Sequence, residues 1–196
     1  MAQRFPAELR LVSNPRPVPV VPSAVLGTLV FVMTEVMLFA GMISAFVIVK
    51  AQALQWPPPG QPRLPVEETL VNTGALLLSG FVLFLANRAH RRDPATAQRP
   101  LGFAIALGSF FVVFQGYEWV LLIREGLTLT SSTHGSFFYL IVGMHALHVV
   151  VALLALGYVW LRFRQRRPSP SAFAAAQVFW YFVVAVWPIL YLQVYL

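Results

Sequence analysis

Cysteine is absent from the chain and charge is scarce. Without a thiol there is no disulfide, no thiolate metal site and no cysteine-held iron–sulfur cluster, and the redox compartment stays undetermined. Charged residues fill 11% of the 196 positions against 58% that are hydrophobic, whereas a soluble domain is roughly 25% charged. The charge that is present leans one way, to a formal net +7. A basic balance can mark a nucleic-acid binder. Here the arginines sit at the ends of apolar runs, so a topology signal explains them better than a phosphate-binding face, and no nucleic-acid partner is expected. Internal repeats are missing too, as are the paired broken helices that transporters use.

What is present is a set of apolar runs of about 20 residues or more, each long enough to cross a ~30 Å hydrocarbon core as a helix. They fall at 23–50, 69–87, 100–123, 136–161 and 172–196. The expected fold is all-α: a polytopic membrane protein with five transmembrane helices in one bundle, residues 23–196. A cytoplasmic N-terminal arm, 1–22, precedes it, kept out of a helix by Pro15, Pro17, Pro19 and Pro22. The first run is too long for the apolar core of a signal peptide and is read as retained. One side of the bundle collects Arg4, Arg10, Arg16, Arg88, Arg91, Arg92, Arg99, Arg162, Arg164, Arg166 and Arg167. The other has Lys50, Arg63 and Arg124, offset by Glu67, Glu68 and Glu125. The positive-inside bias then puts the N-terminus in the cytoplasm and the C-terminus outside.

Four ionisable side chains fall inside these runs: Glu35, Glu118, His145 and His148. Such groups are costly in lipid and are normally turned towards a partner. At a rise of ~1.5 Å per residue, Glu35 lies ~22 Å and His148 ~18 Å below the outer boundary, His145 ~14 Å and Glu118 ~8 Å. Glu35 is therefore expected to meet His148, and Glu118 is a looser match for His145. Glu35, held by hydrogen bonds in a dry pocket that keeps its carboxyl neutral, should react with hydrophobic carbodiimides. The plainer alternative is interhelical hydrogen bonding that serves packing alone, worth about 0.6–2 kcal/mol per bond.

No metal site is expected. A di-iron bundle needs Glu-x-x-His motifs on two helices, and neither histidine has a carboxylate three residues before it. Axial haem ligation needs histidines in facing positions, and the mid-span pair shares one helix. An independent transporter or channel would need a polar pathway, for which four buried side chains are a poor conduit. Glycines at 27, 41, 74, 80, 102, 108, 143 and 157 suit close helix approach. Trp56, Tyr117, Trp119, Tyr191 and Tyr195 cluster towards the outer face as an interfacial belt. Trp180, Tyr181 and Trp187 lie deeper, for lipid contact or packing. Trp56, Trp119, Trp180 and Trp187 are the candidate lipid contacts.

Six segments occur in a telling order: FVMTEVMLFAGMISAF, QWPPPG, LVNTGALLLSG, FQGYEW, GSFFYLIVGMHALHV and FWYFVVAVW. Together, from about Val25 onward, they resemble subunit III of the haem–copper oxidases (cytochrome c oxidase), in its short five-helix bacterial form. The resemblance implies a non-catalytic core subunit of a respiratory terminal oxidase, a proton-pumping translocase that reduces O2 to water in aerobic electron transport. It implies a multi-pass protein of the bacterial inner membrane packed against subunit I, with subunit II in the same complex. Haem and copper would sit in those partners, with no cofactor in this chain beyond bound phospholipid. It implies that Glu35 is the family's carbodiimide-reactive carboxylate and that Glu118, His145 and His148 match its other intramembrane polar positions. Stability, lipid binding, and proton uptake or O2 access of subunit I are the roles it suggests. The last helix departs from the family's pattern, with Tyr181 and Val184 where His and Asp are usual, and with Pro188 after Trp187. His134 stands at an often aromatic position, in a loop where solvent exposure is expected. An accessory subunit of a quinol oxidase or a nitric oxide reductase is the alternative.

Overall fold

A computed structural model describes residues 21–196, so all but the last two residues of the expected arm lie outside the described part. Five long helices follow in order: α1 Ser23–Gln52, α2 Val66–His90, α3 Gln98–Arg124, α4 Thr133–Arg164 and α5 Pro170–Leu190. Among the described residues there is no strand. All five helices are long and apolar enough to cross a membrane, and the described residues form an all-helical bundle.

Helices α1 to α4 outrun their apolar stretches because backbone hydrogen bonding, not hydropathy, ends them, whereas α5 begins two residues early and stops at Leu190, short of the expected 196. Glu67 and Glu68 form the first turn of α2, and Arg88 and His90 its last, which suits the helix dipole at both ends. The Ser132 hydroxyl accepts from the Gly135 amide at 3.0 Å and caps α4. Gly126, at φ 94°, reverses the chain after α3, a backbone that L side chains resist. Between α2 and α3 a 3₁₀ turn, Pro94–Ala97, is capped by Asp93, whose side chain accepts from the Ala95 amide at 3.0 Å. Pro188, inside α5, removes one amide donor, and the chain closes in a π-helical turn, Tyr191–Tyr195.

Helices α2 and α3 pack as an antiparallel hairpin, and α5 lies in the middle, against α1, α2 and α4. Of the membrane-spanning stretch, 61% is buried in α5 and only 11% in α1. Close approach depends on glycine at particular places. A Cβ on Gly108 would lie 2.5 Å from the Trp180 ring and 2.9 Å from Leu153. One on Gly80 would meet Val184 at 3.1 Å. Gly27, Gly41, Gly74 and Gly157 face open space, so only part of the glycine set serves packing.

The aromatic residues divide differently from the expected belt. Trp180 and Trp187 are completely buried in the core, so the lipid contact expected of them is replaced by packing: α5 is central, and its indoles reach no outer surface. Tyr191 and Tyr195 also turn inward. Tyr117 is exposed, and Trp56 and Trp119 are half-buried.

Candidate functional site

Where α1 crosses α4, Glu35 Oε2 lies 3.0 Å from His148 Nε2. The other ring nitrogen, Nδ1, is 2.7 Å from the carbonyl of Met144, one turn back on α4. A carbonyl can only accept, so Nδ1 carries a hydrogen and donates it. The Glu35–His148 bond therefore holds a single proton, on the carboxyl or on the imidazole. The two side chains keep exposures of 14% and 9%, Glu35 the more open.

The walls of this pair are aromatic. Phe39 stands 5.5 Å from the His148 ring, with Phe179 at 6.2 Å and Phe31 and Phe182 at 6.4 Å. Sequence reasoning missed these four rings, although a signal was there: Phe31 and Phe39 lie one helical turn either side of Glu35, hence on its face. Phe179 and Phe182, three apart on α5, supply the opposite wall.

Glu118 belongs to a separate cluster and does not meet His145 as expected. Gln115 Nε2 donates to its Oε2 at 2.8 Å and to the Tyr195 hydroxyl at 3.1 Å. Thr69 Oγ1 lies 3.1 Å from Oε2 and 3.2 Å from Oε1. That hydroxyl has one hydrogen and a competing acceptor, the Pro65 carbonyl at 2.6 Å, so it serves one of them at a time. The cluster ties α2, α3 and the closing turn together. Glu118 faces along α3 and across to α2, whereas His145 faces α5, a difference of direction around the helix that depth does not report.

His145 lies flat on Trp187, with ring centroids 4.9 Å apart and planes at 29°, and Phe39 and Phe111 close its edges. Trp187 Nε1 donates to Thr73 Oγ1 at 2.8 Å, and Thr73 passes its hydrogen to the Thr69 carbonyl at 2.7 Å. Among the described residues neither nitrogen of His145 has a partner, nor do Gln115 Oε1 and Trp119 Nε1. All three residues border one cavity of about 110 Å3, walled for the rest by apolar and aromatic side chains such as Phe111, Val112 and Trp187.

His134 corrects another expectation. It lies in the first turn of α4, 3% exposed, under the loop that carries Trp56, whose indole stands edge-on 5.0 Å away.

Among the described residues no group of three or more His, Asp or Glu could hold a metal ion. Glu35 and His148 engage each other, and His145 lies against an indole. These residues do not fit a haem or copper centre.

The fold and its polar sites define a class: a helical membrane bundle whose ionisable groups, sunk among its spans, are paired or clustered by hydrogen bonds or, for His145, stacked on an indole. Residues 16–196 match the family described as cytochrome c oxidase subunit III. Relatives include a "Probable cytochrome c oxidase subunit 3" from Nocardia farcinica, 32% identical, with 86% of this chain and 85% of the relative aligned. "Cytochrome c oxidase subunit 3" of Synechocystis sp. is 35% identical over 87% of this chain and 74% of its own. That of Corynebacterium diphtheriae is 35% identical over 86% and 85%. The chain belongs to the cytochrome c oxidase subunit III family.

Proposed function

We propose that the chain is the non-catalytic subunit III of a respiratory haem–copper terminal oxidase in a bacterial inner membrane. Its N-terminus is cytoplasmic and its C-terminus outside, and it packs against the redox-carrying subunit I in a complex that includes subunit II. The observation that carries this reading is the family match across residues 16–196. The orientation draws its support from the arginine distribution. Its own acids and imidazoles are engaged in side-chain hydrogen bonds or against aromatic rings, which supports leaving electron transfer to the partners. Phospholipid binding is supported by an apolar groove of about 550 Å3 between α1, α4 and α5, walled by Phe31, Tyr158 and Phe179. Glu35 and His148, near that groove and partly open, are the candidates for a role in proton uptake or O2 access of subunit I.

A second reading, an accessory subunit of a nitric oxide reductase or quinol oxidase, is favoured by the last helix. Among the described residues the Tyr181 hydroxyl has no partner, and Val184 packs on the Gly80 backbone, so the polar pair usual there is replaced by packing. Purification of the tagged chain from native membranes in mild detergent tests both. Haem absorption and oxygen uptake driven by reduced cytochrome c, co-eluting with the chain, are expected. Activity with quinol or nitric oxide alone selects the second reading, and a colourless chain free of partners overturns both.

A further inference from the structure

The hydrogens around Glu118 can be assigned one by one. Gln115 Nε2 donates to its Oε2 at 2.8 Å, which makes that oxygen an acceptor. Thr69 Oγ1 lies 3.2 Å from Oε1. The single hydrogen of Thr69 has a nearer destination, the Pro65 carbonyl one turn back, at 2.6 Å. Thr69 therefore turns lone pairs, not a hydrogen, towards the carboxyl. Two buried oxygens that meet lone pair to lone pair leave each other unsatisfied. A hydrogen on Glu118 Oε1 makes the contact a bond. The donors then run in one direction, from Glu118 to Thr69 and from Thr69 to Pro65.

A route for that hydrogen borders the same carboxyl. Glu118 lines a cavity of about 220 Å3 together with Arg63, Glu68 and Glu125. Arg63 on the loop before α2, Glu68 in the first turn of α2 and Glu125 just past α3 are all exposed. They stand where two spans meet the membrane edge, so water reaches the cavity from that face. Its described lining carries one cation and, Glu118 aside, two carboxylates. An ionised Glu118 would add a third negative charge within a span, whereas the neutral acid adds none. The closing turn presents an uncharged group, the Tyr195 hydroxyl, which accepts from Gln115 at 3.1 Å. Tyr139 of α4 gives its own hydrogen to the Leu127 carbonyl at 2.8 Å.

We propose that Glu118 is a proton-binding site served by the water at this end of the bundle: its Oε1 takes a proton from the cavity and donates it in a hydrogen bond to Thr69. Loading forms one O–H bond on Glu118 and breaks one on a hydronium ion; release reverses both. The charged mouth admits water and protons but turns away an apolar reagent. The site rests on the fold alone, so its failure and the failure of the oxidase reading are separate results.

Infrared spectroscopy of the full chain, purified in mild detergent with whatever subunits accompany it, reads the carbonyl stretch of a protonated carboxyl. Glu118→Gln assigns the band, since an amide keeps a donor for Thr69 and an acceptor for Gln115. Glu35→Gln separates the other acid within a span. The expected spectrum at neutral pH has a carboxylic band that Glu118→Gln removes and Glu35→Gln keeps. That band should shift when water is replaced by D2O and fade in alkaline medium. It should also move to higher frequency in Gln115→Leu, which removes the bond to its carbonyl oxygen and so assigns the band independently. Circular dichroism matching the unaltered chain marks each variant as folded. A spectrum in which Glu118→Gln removes no band and Gln115→Leu shifts none overturns the protonated state. A band that ignores D2O and alkali while the chain stays folded overturns the aqueous route.

Discussion

Glu35 and Glu118 are the same residue type in opposite settings. Glu35 has one side-chain partner, sits on the least buried helix and keeps an opening of 14%. Glu118 lies in contact range of two polar groups, from Thr69 and Gln115, the second of which also bonds Tyr195, and is 3% exposed. The first setting is a seam between helices; the second is a knot that closes the bundle. Their helices differ in the same sense: around Glu35, Met33 is 65% and Met37 75% exposed, whereas the centre of the bundle is filled by the indoles of α5. A carboxyl on an open seam can exchange partners with what surrounds the protein; one in a knot mainly holds helices together.

The core side of this comparison should be the most sensitive. Trp187→Ala removes the His145 stack and the donor to Thr73, and should destabilise the chain by about 3–5 kcal/mol in reversible unfolding from mixed micelles. Glu118→Leu removes the nearer acceptor of Gln115 and the carboxyl partner of Thr69, and should cost about 1–3 kcal/mol by the same measurement. Glu35→Leu, on the open seam, should cost only about 0.6 kcal/mol. Equal losses at the two acids would break the distinction between seam and knot. Tyr195→Phe removes one acceptor of Gln115 and should also cost about 0.6 kcal/mol. Met37→Ala should stay within about 0.5 kcal/mol of the unaltered chain, and any larger effect confined to the assembled complex, read as partner retention on purification, would mark α1 as a subunit contact.

The span positions were readable because lipid thickness sets their length, and every helix lies where an apolar run predicts it. Their ends extend further, as Glu67, Glu68, Arg88 and His90 show in α2, because charged residues at the membrane edge can continue a helix. Glu35 and His148 were found from depth alone. Glu118 and His145 were not, because depth counts residues along a helix and says nothing of the direction each side chain takes around it. The same gap left lipid contact and packing both open for Trp180 and Trp187: α1 and α5 read as similar apolar runs, and only packing distinguishes the edge helix from the central one. His134 was misjudged because burial by the Trp56 loop is a long-range contact with no local pattern.

Labelling of native membranes with a hydrophobic carbodiimide, followed by peptide mapping, tests the contrast between the two acids most directly. Modification at Glu35, with Glu118 left intact, is the predicted result. Modification of Glu118 with Glu35 untouched would contradict it.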